Sequence, residues 1–92
     1  MTQQYVVGEL TSWLGNLQSV DDESLASAIR DLRREVENCS APRLRPLAHR
    51  AVALSETICW HSLNRGDLAQ FCRDVDKAVG LRNFAISANL LS

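Results

Sequence analysis

Helix breakers are scarce in this chain. It holds four glycines and two prolines among 92 residues, so little interrupts long helices. β-branched residues are few and Leu and Ala dominate the apolar set, which disfavours strands. No apolar run approaches the roughly 18 residues that a bilayer span requires. The N-terminus lacks the basic stretch and apolar core of a signal peptide, so a cytoplasmic location is expected. The three cysteines, Cys39, Cys59 and Cys72, are odd in number and have no paired spacing, which argues against a disulfide framework. They are expected to be reduced, with Cys59 and Cys72 packed as small hydrophobes.

Clustered chemistry is missing too. No Cys-x-x-Cys pair exists, and Cys59 and His61 are two residues apart, on nearly opposite sides of a helix. No metal site is expected. Cys59, His61 and Glu56 share a segment but not a face, so no catalytic residue is assigned. There is no Gly-rich phosphate loop and no dinucleotide fingerprint, hence no cofactor. The expectation is a non-enzyme.

Charge is nearly balanced overall, at −1, but unevenly spread. Residues 1–29 carry four acids and no base, whereas residues 30–50 carry six arginines against three acids. Nine of the ten basic residues are arginine, which suggests GC-rich codons and a bacterial source. Arg43, Arg45 and Arg50 have no acid beside them in sequence. They form a candidate contact for phosphates or an acidic partner, and make nucleic-acid binding an alternative function. No aromatic residue interleaves with them, so base stacking has no support. The bland alternative is that they pair with the acidic N-terminal half.

Four apolar stripes of helical period remain. In the first helix, about 2–17, Val6, Leu10, Trp13, Leu14 and Leu17 share a face. In the second, about 21–38, Leu25, Ala28, Ile29, Leu32, Val36 and Cys39 do so. Ser19 and Asp22 give it a capping-box-like start. The third, about 43–63, begins near Pro42 or Pro46, as proline is tolerated in a first turn. It buries Leu47, Ala51, Leu54 and Ile58. Gly66 stops it and Asp67 caps the fourth, about 67–90. There Leu68, Phe71, Cys72, Val75, Val79, Ile86 and Leu90 lie on one side, and Gly80 is expected to kink or break the helix. An all-α, compact antiparallel four-helix bundle in one domain, 1–92, follows.

Two faces fall outside that packing. On helix three, His49, Glu56 and Trp60 lie opposite the apolar arc. A Trp in a polar sector marks an anchor for a protein partner. On helix one, Gly8, Ser12, Gly15 and Ser19 form a small-residue face suited to self-association, giving a homodimer. The leading reading is a small non-catalytic protein-interaction or regulatory module.

Two short stretches resemble known families. Leu54 to Leu81 is similar to a single tetratricopeptide hairpin, with Ile58 at a large-residue position, Gly66-Asp67-Leu68 at the turn and Ala78 at a small-residue position. Cys59 and Phe71 depart from that pattern, and no second copy follows. The resemblance implies an α-hairpin used for protein contact. Arg82-Asn83-Phe84-Ala85-Ile86-Ser87 resembles the Arg-Asn-x-x-x-His signature of HEPN-type helical ribonucleases. Ser87 stands in the histidine place, which implies a degenerate HEPN-like domain without its catalytic group.

Overall fold

A computed structural model of the chain describes residues 2–17 and 20–91. Four α-helices form among these residues, α1 Gln3–Asn16, α2 Glu23–Glu37, α3 Leu44–Asn64 and α4 Leu68–Ser87, with a 3-10 turn at Ala41–Arg43. No strand occurs among the described residues. The arrangement is the expected four-helix bundle.

Each helix starts where a short polar side chain, or a turn, satisfies its free N–H groups. Thr2 Oγ1 accepts from the Tyr5 N–H at 3.1 Å. Asp22 Oδ1 accepts from the Leu25 N–H at 2.9 Å, so Asp22 is the cap of α2. Ser19, expected to share that role, lies outside the described residues. Asp67 Oδ1 accepts from the Gln70 N–H at 3.1 Å. α3 has no such cap and grows out of the 3-10 turn, in which the Arg43 N–H donates to the Ser40 carbonyl at 3.0 Å.

The two helix stops on the α3–α4 hairpin share one geometry. Gly66 takes a φ of +76°, and the Asp67 N–H reaches back to the Ser62 carbonyl. Asn89 takes a φ of +60°, and the Leu90 N–H reaches back to the Ala85 carbonyl. Both are Schellman closures, with Gly and Asn in the left-handed position that these residues tolerate best.

α3 packs most extensively on α4, and α1 on α2; α2 against α3 joins the two pairs, and α1 touches α4 lightly. Leu10, Leu14, Ile29, Leu32, Leu47, Ile58 and Leu81 are at most 2% exposed and form the centre of the core. The stripes of α1, α2 and α3 face inward as the sequence predicts.

α4 does not follow its prediction. It runs unbroken through Gly80. The glycine is there for space, because the Trp13 indole of α1 lies where its Cβ would be. The wide apolar stripe also points the other way. Leu68, Val79 and Ile86 are 63%, 51% and 53% exposed, and Cys72 is exposed too. Phe71 and Val75 are half-buried, and of the predicted face only Leu90 is in the core. The helix instead turns Asp74, Leu81 and Ala85 inward. Gly80, beside Leu81, leaves the room that the Trp13 indole takes. Asp74 is accommodated because Ser62 Oγ and Gln70 Nε2 both donate to its carboxylate.

Candidate functional site: the groove between α3 and α4

Ser62 meets Asp74 and Glu56 meets Arg82, so α3 and α4 run antiparallel. The outer side of this pair is a groove. Trp60, Cys59 and Glu56 line it from α3; Phe71, Val75 and Val79 line it from α4. This first stretch encloses about 290 Å³. A second stretch of about 500 Å³ continues toward His49, Ala53 and Ile86. Glu56 and Arg82 border both stretches. Their side chains approach to 3.7 Å and bridge the groove between them. Both stay more than half exposed, so the pair contributes little to stability.

Trp60 is 62% exposed. Of the residues read from sequence as a protein contact, Trp60, Glu56 and His49 thus share one exposed face and border one groove. The residues that sequence reading missed are those across from them: Phe71, Val75, Val79, Arg82 and Ile86. The stripe was visible in the sequence, but its assignment to the core hid it. Arg82, a charge set between Val79 and Ile86 on the same face, was the signal that this stripe meets water.

Cys59 sits at the floor of the groove, 9% exposed. Burial pushes its thiol pKa up, and the negative charges of Asp74 and Glu56 add to that. A thiol held protonated is a poor nucleophile. His61 lies beside Arg65, at 3.5 Å from its guanidinium. Among the described residues, no group of three or more His, Cys, Asp or Glu gathers as a metal site would need. Cys72, expected in the core, is exposed instead because it rides on the outward stripe of α4.

In the arginine-rich segment, Arg43 and Arg50 share one carboxylate, while Arg30 pairs with Glu23. Arg50 approaches Glu35 at 2.9 Å and Arg43 at 3.8 Å. Glu35 lies within the 30–50 stretch itself, so Arg43 and Arg50 do not pair with the acids of residues 1–29. The hydrogen bond from Arg50 and the charges of Arg50 and Arg43 lower the Glu35 pKa. Arg45 is exposed in the first turn of α3. On α1, Gly8 is open and Ser12 exposed, but the Arg33 guanidinium from α2 covers Gly15, 3.7 Å from where a Cβ would stand. The small-residue face is therefore partly filled by the chain itself. Of the Arg-Asn-x-x-x-Ser stretch, Arg82 pairs with Glu56, and Ser87 is the last residue of α4. No helix among the described residues is long and apolar enough to cross a membrane.

Comparison with known families, with curated proteins and with solved structures finds no match to this chain.

Proposed function

We propose that this domain is a non-catalytic protein-interaction module that docks its partner along the α3–α4 groove. One observation carries the reading. The widest apolar stripe of α4 faces outward, beside a Trp60 that is 62% exposed. Exposed large apolar groups scattered singly are ordinary, but a contiguous row rimmed by polar residues marks a contact surface. Here Phe71, Val75 and Val79 form the row with Trp60 across from them, Leu68 and Ile86 extend the stripe at its two ends, and the Glu56–Arg82 pair crosses the groove between Val79 and Ile86. A Trp at such a surface supplies large contact area with few rotatable bonds and one polar handle.

The alternative that places nucleic acid on the arginine-rich segment has less support. Glu35 already neutralises part of the charge of Arg43 and Arg50, and chain charge is near balance.

The test compares wild-type chain and Trp60→Ala as baits in lysate of the native host, with bound proteins identified by mass spectrometry. The expected result is a protein retained by the wild type and lost with Trp60→Ala, while circular dichroism spectra coincide. Equal retention by both baits would remove Trp60 from the docking surface.

A further inference from the structure

We infer that the partner in this groove is a second copy of the chain, docked face to face about a two-fold axis running along the groove. The inference rests on the docking reading above and names its occupant.

The first support is charge. A two-fold axis parallel to α3 and α4 leaves every residue at its own level along the groove and carries α4 of the copy over α3. Glu56 and Arg82 lie at one level, 3.7 Å apart. The copy therefore brings its Arg82 beside Glu56 and its Glu56 beside Arg82. Four charges then alternate in sign around the axis, and no charge meets its like. The same operation fixes the apolar contacts. Trp60 borders the same stretch of groove as Val75 and Val79, so it meets the copy's Val75 and Val79. The surface is its own complement, as an isologous interface requires.

The second support is helix direction. α3 and α4 are antiparallel, and in the docked pair each of the four helices lies between two antiparallel neighbours. That is the arrangement of an up-down four-helix bundle, with opposed helix dipoles.

The third support is area. The exposed face is two helices wide and one helix long, about 20 Å by about 30 Å or roughly 600 Å², at the lower end of what each partner gives to a stable complex.

The experiment is sedimentation equilibrium on the full chain from about 1 µM to about 1 mM, with circular dichroism on every variant. Wild type is expected to form dimers. Trp60→Ala should weaken self-association by roughly tenfold or more, as for a central aromatic anchor. Glu56→Arg and Arg82→Glu each place four like charges around the axis and should weaken it by roughly fivefold or more. The double variant Glu56→Arg/Arg82→Glu restores alternation and should recover dimerisation. A monomer at every concentration overturns the second copy as occupant, while loss of another protein from the Trp60→Ala bait would still support the groove as a docking site. A dimer indifferent to Trp60→Ala overturns the groove as the interface between copies, and equal retention by both baits overturns it as a docking site. A dimer broken by the single charge variants but not recovered by the double one overturns the two-fold arrangement.

Discussion

The indole of Trp13 fills the space that a side chain at residue 80 would need. An ideal Cβ on Gly80 would lie 2.5 Å from Trp13 Cη2 and 2.8 Å from Cζ3. This contact ties α1 to α4, which otherwise pack lightly.

In an open helix interior, Gly80→Ala would stabilise by up to about 1 kcal/mol. Here the indole must leave first, so a net loss of about 1–2 kcal/mol is expected. In a Trp13→Ala background the sign reverses, and Gly80→Ala stabilises. Urea denaturation of the four chains in a double-mutant cycle reads the coupling. Additive effects would mean that Trp13 does not occupy that space.

Asp74 is 4% exposed and receives hydrogen bonds from Ser62 and Gln70. Removing one donor leaves a buried acceptor short of a partner. Ser62→Ala should cost about 1–3 kcal/mol. With Asp74→Ala added, that acceptor is gone, so the double variant should lose less than the two singles together. Full additivity in urea melts would contradict the bond.

Glu35 links α2 to the start of α3 through Arg50 and Arg43. Its folded pKa is depressed, chiefly by the Arg50 hydrogen bond. A depressed carboxylate contributes stability above its unfolded pKa, and loses it as pH falls through the folded value. The stability of the wild type should therefore fall more across the acid limb than that of Glu35→Gln, with no difference in slope near neutrality. An NMR titration should find Glu35 below the usual glutamate range, and Arg50→Gln should raise it. A Glu35 that titrates identically in both chains would contradict the pairing.

Much of this architecture was legible in the chain itself. α2 was readable because Ile29, Leu32 and Val36 sit on one stripe and arginines and acids fill the other side. The turn at Gly66-Asp67 was readable because each residue has a separate backbone task there. Trp60 was readable as lying opposite the apolar arc of α3, but whether a neighbouring helix covers it was not, because that depends on packing between elements. The facing direction of α4 was not readable. Periodicity shows that a helix has an apolar side, but not that this side meets the core. α4 buries the side that carries Asp74, Leu81 and Ala85 because Gly80 admits Trp13 and Asp74 finds Ser62, and both partners are distant in sequence. The Glu35 cluster was hidden for the same reason, since Arg50 lies on another helix.

Val79→Glu separates the two placements of α4's apolar stripe most directly. Val79 is 51% exposed, beside Trp60 in the groove. At concentrations where the chain is monomeric, urea denaturation should give a stability within about 0.5 kcal/mol of wild type, as for a surface substitution. A loss of about 3 kcal/mol or more, the cost of forcing a carboxylate into a core, would contradict an outward-facing stripe and the docking groove built on it.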